Sequence, residues 1–254
     1  MAQLFKPAAN TIATASLVLA AGVPFIFVIG SGFSRSPYNT KVGVPLEQPI
    51  PFSHQHHAKE LAIDCRFCHS TVEDAAHATV PSTDVCMTCH SQVWANSPLL
   101  EPLRKSAETK TPLEWVKVNS VPDFVYFDHS IHVNKGISCN NCHGKIQEMQ
   151  ITSKAQPLSM SWCLECHTSP EKFLSETSTD PEGNKLTPRE QVFELYRKLA
   201  AHEKLTPVEI KLAKGLPQRV PNDELHKRAK EGTVLIKDRK VATKQLADCY
   251  VCHH

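Results

Sequence analysis

The cysteines constrain this chain more than any other feature of its sequence. All ten cysteines among the 254 residues fall into Cys-x-x-Cys pairs, and a histidine directly follows each of the five pairs. The pairs are Cys65 with Cys68, Cys86 with Cys89, Cys139 with Cys142, Cys163 with Cys166, and Cys249 with Cys252. The trailing histidines are His69, His90, His143, His167 and His253. Any fold for this chain must therefore accommodate five binding motifs of one kind.

This pattern favours covalent haem over zinc, disulfides or redox dithiols. A zinc ribbon uses two Cys-x-x-Cys pairs for each metal, so five pairs would leave one pair over. Disulfides give no reason for a trailing histidine. Cys-x-x-Cys-His is the attachment sequence of c-type haem, in which both thiols form thioethers and the histidine binds the iron. We therefore expect five haem c groups, held by the ten cysteines and the five trailing histidines.

The composition supports a core that haem fills. Aromatic residues make up 7% of the chain and hydrophobic residues 41%, so side chains alone would build a thin core. The net charge of +2 argues against a strongly basic nucleic-acid-binding protein. Eighteen prolines against nine glycines favour ordered but irregular chain. We predict a mainly α and irregular multihaem cytochrome c with few strands, a haem-filled core and one N-terminal transmembrane helix.

The N-terminal residues form an apolar segment that is long enough to cross a membrane. No charged residue occurs from Pro7 to Ser34, a run longer than the roughly 20 residues that span a bilayer as a helix. Pro24 would kink such a helix, as membrane helices tolerate. A cleaved signal peptide is the alternative, but we expect a retained anchor over residues 1–35, helical at about 12–33. Since haem c is attached outside the cytoplasm, the haem domain would lie on the periplasmic side of the inner membrane.

The spacing of the motifs reveals an internal repeat. They begin at residues 65, 86, 139, 163 and 249, which groups them as two pairs and one distant motif. Each pair follows a Phe-x-His-x-x-His sequence, at Phe52–His57 and at Phe127–His132. We therefore divide the haem domain, residues 36–254, into three parts. These are a first dihaem repeat at 50–100, a second at 124–169, and a helical segment with the fifth motif at 170–254.

The Phe-x-His-x-x-His repeats resemble those of small multihaem cytochromes of the c3 and c7 type. In that family the first histidine binds the iron of the haem that follows it, and the second binds another haem iron nearby. The resemblance implies that His54 and His57 serve the first motif pair, and that His129 and His132 serve the second. The alternative is a set of solvated surface histidines, which the duplication of the pattern disfavours.

Residues 170–248 are expected to be partly helical and to return the chain to the haem groups. Thr187-Pro-Arg-Glu190 and Thr206-Pro-Val-Glu209 are capping-box sequences with proline at the first helical position, and each predicts the start of a helix. The apolar residues of the first helix recur at helical spacing. They are Val192, Phe193, Leu195, Tyr196 and Leu199.

The sixth ligand of the fifth iron must come from a distant part of the chain. Our candidate is His226, with His202 and His254 as rivals, and His56 and His77 also remain open. A methionine ligand would raise the potential of one haem relative to imidazole. Met149 is the candidate for such a ligand, ahead of Met160, although packing against a macrocycle is the alternative for both.

The histidine content favours electron transfer over haem catalysis. Catalysis needs an open iron coordination position, whereas electron transfer favours two strong protein ligands. Nine histidines lie outside the five motifs, which is enough to close every iron. We therefore expect an electron-transfer subunit in which this chain itself carries out no bond chemistry.

The anchor, the two motif pairs and the distant fifth motif together resemble the pentahaem cytochrome subunit of alternative complex III. The most specific parts are Ser159–His167 and Cys65–His90. The resemblance implies a membrane quinol-oxidising complex with a polytopic quinol-binding subunit and an iron-sulfur subunit. Electrons would leave through a cytochrome c, a copper protein or an oxidase. The alternative is an anchored multihaem quinol dehydrogenase that delivers electrons to a periplasmic reductase, a family that usually carries four haems.

Overall fold

Short helices and irregular segments build most of this protein. A computed structural model describes residue 6 and residues 8–180, 182–214, 234–243 and 245–253. The chain divides into two compact units, Met1–Val44 and Pro45–His254. Within the described residues, β-structure consists of isolated bridges, among them Pro45 with Ser153 and Thr179 with Lys185. This confirms the mainly α and irregular fold class that the sequence predicts.

The first unit contains one long apolar helix. Helix α1, Ala8–Arg35, has 28 residues and continues through Pro24, which corresponds to about 42 Å of length at 1.5 Å per residue. None of its residues is buried, and an 18-residue window of the helical segment Ala8–Thr40 has a mean hydropathy of 2.4. Helix α2, Pro37–Thr40, follows, with Ser36 as its N-cap. By length and composition, α1 suits either a membrane span or the signal sequence of an exported protein.

The second unit is a series of short helices, several of which coincide with the cysteine motifs. Among the described residues, the α-helices include α3 Cys65–Cys68, α4 Thr83–His90, α5 Glu101–Thr109, α6 His129–Asn134, α7 Cys139–His143, α8 Met160–His167, α9 Pro188–Ala200, α10 Pro207–Lys214 and α11 Cys249–Cys252. A π-helix spans Gln55–Glu60, and 3₁₀ turns span Pro98–Leu100, Ile146–Glu148 and Pro170–Lys172. The helices therefore act mainly as local platforms for individual motifs and do not form a bundle.

Both capping boxes in the segment after the fourth motif are present. At the start of α9, the Thr187 hydroxyl accepts the Glu190 amide at 3.2 Å, and the Glu190 carboxylate accepts the Thr187 amide at 2.8 Å. At the start of α10, Thr206 and Glu209 make the same two bonds at 3.3 and 2.8 Å. These reciprocal bonds satisfy amides that have no partner within the helix. The helix starts at Pro188 and Pro207 are therefore confirmed.

The apolar core of the second unit is thin and includes motif cysteines. Twelve hydrophobic residues of the described chain are buried. One cluster joins Val72, Val133 and Phe193, with Cys65 packed against it. A second cluster joins Ile50, Leu100 and Leu103, with Cys86, Met87, Leu113 and Trp115 packed against it. The apolar face of α9 is buried as its helical spacing predicts, through Val192, Phe193, Leu195 and Tyr196.

Candidate haem-binding sites

Each of the five motifs forms a short helix with its two cysteines one turn apart. We number the sites 1 to 5 in chain order of their motifs. Residues three apart lie on one face of a helix, so both sulfur atoms of a motif face the same direction. A residue type favoured at helix starts precedes each motif helix. These N-cap residues are Asp64, Ser82, Ser138, Ser159 and Asp248.

Site 1 shows how the local sequence fixes a motif helix. The Asp64 carboxylate accepts the Arg66 amide at 2.8 Å and also accepts the Arg66 guanidinium at 2.8 and 2.9 Å. The guanidinium lies over the Phe193 ring, 4.3 Å from its centroid. Helix α9 thereby covers the first turn of the site 1 motif. Burial raises the pKa of the Cys65 thiol to about 12, so this thiol stays protonated in the unligated chain.

Four of the trailing histidines are oriented by bonds from Nδ1 to backbone carbonyls. An imidazole that donates its Nδ1 proton has its Nε2 lone pair free for a metal, which is the usual arrangement of metal-binding histidines. The bonds run from His69 to the Thr79 oxygen at 2.8 Å, from His90 to Val93 at 3.0 Å, from His167 to Leu246 at 2.8 Å, and from His253 to Phe124 at 2.8 Å. Each of these rings is held in the tautomer that can bind iron.

The four histidines of the Phe-x-His-x-x-His repeats are oriented in the same way. Three of them bond through Nδ1 to a backbone carbonyl, and the fourth bonds to a hydroxyl. The contacts are His57 with the Ser53 oxygen at 2.9 Å, His132 with Asp128 at 2.7 Å, His129 with Ala76 at 2.9 Å, and His54 with the Thr152 hydroxyl at 3.1 Å. The three carbonyl contacts hold His57, His129 and His132 in one tautomer. Solvated surface histidines have no reason to share a tautomer, so the pattern favours metal ligation.

Three of these histidines lie beside a trailing histidine at a ring separation that matches two imidazoles bound to one iron. An imidazole nitrogen binds a first-row metal at about 2.0 Å and lies about 1.1 Å from its ring centroid, so two axial imidazoles place their centroids about 6.2 Å apart. The observed centroid distances are 6.1 Å for His57 with His90, 6.3 Å for His129 with His143, and 6.1 Å for His132 with His167. The side chains present therefore fit bis-histidine iron.

The phenylalanine of each repeat packs against both of its histidines. In the first repeat, the Phe52 ring stacks on His57 at 4.5 Å and meets His54 edge-on at 4.9 Å. In the second, Phe127 stacks on His132 at 4.6 Å and meets His129 edge-on at 4.8 Å. The near-identical geometry supports the internal duplication. It also explains why phenylalanine begins the motif, since one flat ring fixes two imidazoles at right angles.

Burial keeps these imidazoles neutral, which is the form that binds iron. Burial lowers the pKa of His54 to about 4, and His69 is the nearby charged group with the largest further effect. Burial also lowers the pKa of His143 to about 4, with His129 as the next cause. The pKa is lowered, mainly by burial, in the other repeat histidines as well, namely His57, His129 and His132.

The other candidates for a sixth ligand are His226, His254, His202, His77, His56, Met160 and Met149. His226 and His254 fall outside the described residues. His202 and His77 are exposed, and His56 stacks on Trp94 at 6.2 Å and pairs with Glu60. Met160 is 70% exposed. Met149 is half-buried, and its terminal methyl group packs beside Gly144, directly after His143. The sixth ligand at site 5 therefore remains a prediction.

The zinc alternative has no geometric support in the part of the chain that is described. In that part, no group of three or more histidine, cysteine, aspartate or glutamate side chains is arranged so that it could hold a metal ion. Three of the five motif histidines instead lie beside single histidines of the repeats. Two imidazoles per iron would suit a haem iron in an electron-transfer cytochrome.

Comparison with known proteins agrees with this geometry. Residues 125–186 match the family of cytochrome c7 and related cytochrome c, a segment that contains the second repeat and sites 3 and 4. This segment is therefore similar to a cytochrome c7-type domain. Cytochromes of that kind carry c-type haem.

A second comparison extends the likeness to a subunit of a menaquinone reductase. The chain is 40% identical over 100 residues to the multihaem cytochrome c subunit of menaquinone reductase from Nitratidesulfovibrio vulgaris strain Hildenborough. The aligned part covers 38% of this chain and 46% of that subunit. The chain therefore spans about half the length of the curated relative it matches. Neither match names alternative complex III, so that assignment stays a prediction.

Proposed function

We propose that this chain is a membrane-anchored pentahaem cytochrome that relays electrons inside a quinone-linked complex. The observation that carries the proposal is the set of three imidazole pairs separated by 6.1–6.3 Å. Bound haem c supplies reversible one-electron chemistry at its iron. In this proposal the chain would hold four of the irons between two imidazoles each, keep those imidazoles neutral and exclude water from them.

The ligand sets follow from the pairs and from the duplication. His57 with His90 would serve site 2, His129 with His143 site 3, and His132 with His167 site 4. In the second repeat, the first histidine thus pairs with the motif that follows it and the second histidine with the next motif. The same rule applied to the first repeat assigns His54 with His69 to site 1. The assignment at site 1 rests on the duplication.

Closed coordination at four sites favours electron transfer over catalysis. A substrate can reach a haem iron only where a coordination position is open or is held weakly. The repeat histidines are oriented by hydrogen bonds and by the Phe52 and Phe127 rings, so dissociation of one imidazole would disturb a packed cluster. The same rigidity limits the reorganisation that accompanies a change of iron charge.

Contacts between the motifs support one linear order of sites, 2–1–3–4–5. His54 and His57 lie one helical turn apart and so link sites 1 and 2. The loop at residues 76–79 links sites 1 and 3, because its carbonyls accept His69 and His129. Helix α6 carries the repeat ligands of sites 3 and 4. The bond from His167 to Leu246, three residues before the last motif, links sites 4 and 5.

The membrane and quinone parts of the proposal rest on α1 and on the relative. Helix α1 is the one helix of the described residues that is long and apolar enough to cross a membrane. The relative is a subunit of a protein named menaquinone reductase. We propose a single-pass inner-membrane anchor with the haem domain in the periplasm. Its partners would be a polytopic quinol-binding subunit and an iron-sulfur subunit, and its acceptor a cytochrome c, a copper protein or an oxidase.

The proposal is tested on the full-length chain matured in a host that attaches haem c. Intact mass should show five haem additions, and electron paramagnetic resonance of the oxidised protein should show low-spin iron at the four bis-histidine sites. The isolated chain should accept electrons from a low-potential donor and should not turn over quinol. Fewer than five haem additions, or quinol oxidation by the chain alone, would overturn the proposal. Quinol oxidation would favour the anchored quinol dehydrogenase.

A further inference from the structure

The two copies of the repeat differ in what their first histidine bonds to. His129 donates its Nδ1 proton to the backbone carbonyl of Ala76, at 2.9 Å. Its counterpart His54 contacts the side-chain hydroxyl of Thr152, at 3.1 Å. Phe127 and Phe52 hold these two imidazoles edge-on at 4.8 and 4.9 Å, so the packing of the rings is otherwise matched. The Ala78 amide also lies 3.4 Å from Nδ1 of His129. The two histidines therefore differ in the partners of Nδ1, and chiefly in the acceptor, a carbonyl for His129 and a hydroxyl for His54.

Thr152 is fixed in place by the backbone on both sides. The Gln55 amide, next to His54, donates to the Met149 carbonyl at 3.0 Å. Ser153 forms an isolated bridge with Pro45. The segment that carries Thr152 is thus tied to the start of the first repeat, although it follows the third motif in the chain. A hydroxyl placed by such contacts is an ordered partner for the imidazole.

The tautomer of His54 determines the direction of this bond. If His54 binds iron through Nε2, the ring proton must lie on Nδ1, and the Thr152 oxygen must accept it. A hydroxyl oxygen is a weaker acceptor than a backbone carbonyl, because the carbonyl carries more negative charge. A stronger acceptor makes the imidazole more electron-donating, stabilises ferric over ferrous iron and lowers the reduction potential.

We propose that Thr152 sets the reduction potential of the site 1 iron through its hydrogen bond with His54. This inference rests on the proposed function, in which His54 is the sixth ligand of that iron. Thr152 is a positioning residue, since it acts on the iron only through the imidazole. Because the acceptor for His54 is a side chain, a single substitution can change the reduction potential at site 1. At site 3 the acceptor is a backbone carbonyl, which a substitution does not remove.

The test is a series of full-length variants in which only the acceptor changes. Thr152→Val keeps the shape of the side chain and removes the hydroxyl that accepts from His54. Thr152→Ser keeps a hydroxyl acceptor, and Thr152→Asp replaces it with a carboxylate, which is a stronger acceptor. Potentiometric titration followed by absorbance and paramagnetic resonance would resolve the individual haems. We expect Val to raise one potential, Asp to lower the same one, and Ser to leave it near the wild-type value. Thr109→Val, which removes an exposed hydroxyl on α5, should change none of them.

The outcomes separate this inference from the ligand assignment on which it rests. His54→Ala should convert one low-spin iron to high spin; if every iron stays low-spin, the ligand assignment fails and the inference with it. If His54→Ala acts as expected but the Val and Asp variants shift no potential, only the role of Thr152 is overturned. Should the Val variant not acquire five haems, the Ser and Asp variants carry the comparison, and equal potentials in those two would overturn the role.

Discussion

The imidazole rings of His129 and His143 lie 6.3 Å apart and are within 9° of parallel. One ring belongs to a Phe-x-His-x-x-His repeat, and the other directly follows the cysteine pair of the third motif. His132, one turn further along α6, faces His167 of the fourth motif at 6.1 Å. Neighbouring histidines of one helix therefore face different motifs.

This relationship predicts that His129 and His132 affect different haems. Replacing His129 with alanine should convert the iron of site 3 from low to high spin, because the proposed pairing makes His129 one of the two imidazole ligands of that iron. Replacing His132 should do the same at site 4. Each change should involve one haem equivalent, measured from the loss of low-spin resonance and the gain of a high-spin signal.

The two variants serve as controls for each other, and His56→Ala is a third. His56 lies in the first repeat between two ligand candidates, but it is exposed and pairs with Glu60. Its replacement should leave the signals of sites 3 and 4 unchanged. If the His129 and His132 variants perturb the same haem, the pairing is wrong.

Gly144 lies directly after His143 in a conformation that other residues rarely adopt. Its φ is +66° and its ψ is −160°, and a Cβ atom would lie 2.7 Å from the Cβ of Ala155. Gly144→Ala should therefore destabilise the protein by about 3 kcal/mol, from backbone strain and overpacking together. Denaturant unfolding of the matured protein, followed by circular dichroism, measures this loss.

Gly183→Ala is the matched control for Gly144→Ala. Gly183 also has a positive φ, +89°, but no heavy atom lies within 4 Å of the position of its Cβ. Its replacement should cost only about 1 kcal/mol, from backbone strain alone. Equal losses in the two variants would show that the contact with Ala155 does not matter.

The sequence predicts those parts of the site that depend on particular residue types at short spacings along the chain. The Cys-x-x-Cys-His helices, the repeat histidines and the box of Thr187 with Glu190 each lie within a few residues, so spacing alone identifies them. The acceptors of the histidine protons are different. Thr79, Leu246 and Phe124 contribute backbone carbonyls, which every residue type has, so no sequence signal marks them.

Long-range partners could be inferred only where the chain repeats itself. Phe52 and Phe127 each begin a Phe-x-His-x-x-His sequence, so the sequence alone predicts that the two repeats pack alike. Thr152 has no counterpart that the repeat could reveal, since the second repeat uses the carbonyl of Ala76 in its place. Site 5 belongs to neither repeat, so no second copy indicates its sixth ligand. Several histidines are candidates, and the sequence gives no rule for choosing among them.

Lys198 and Glu209 form an ion pair that is almost fully removed from water. Their nitrogen and oxygen lie 2.8 Å apart, with the side chains 15% and 0% exposed. Lys198→Met should cost roughly 3 kcal/mol, because it leaves a buried carboxylate without its cation. Glu209 keeps the amide of Thr206 as a donor, which limits the loss. Chemical denaturation followed by helical circular dichroism measures the change.

A surface pair provides the control for Lys198. Lys185 and Asp238 lie 3.8 Å apart with side chains 67% and 62% exposed. Lys185→Met should change the free energy of unfolding by less than about 0.5 kcal/mol, since exposed pairs contribute little. A loss as large as that of Lys198→Met would contradict the assignment of the effect to burial.

Asp64 predicts how stability changes in acid. Its hydrogen bonds with the Arg66 side chain lower the pKa of its carboxyl below the ordinary value. A group whose pKa is lower in the folded state stabilises the protein above its unfolded pKa, and this stabilisation is lost as the pH falls through the folded value. Asp64→Asn should therefore lower the melting temperature at neutral pH, where the carboxylate caps α3 and pairs with Arg66.

The difference in melting temperature between wild type and Asp64→Asn should shrink below about pH 4, the ordinary range of an aspartate. Melting curves of the matured protein from pH 7 to pH 3 measure this difference, and one that stays constant with pH would mean that the carboxylate charge does not stabilise the first motif.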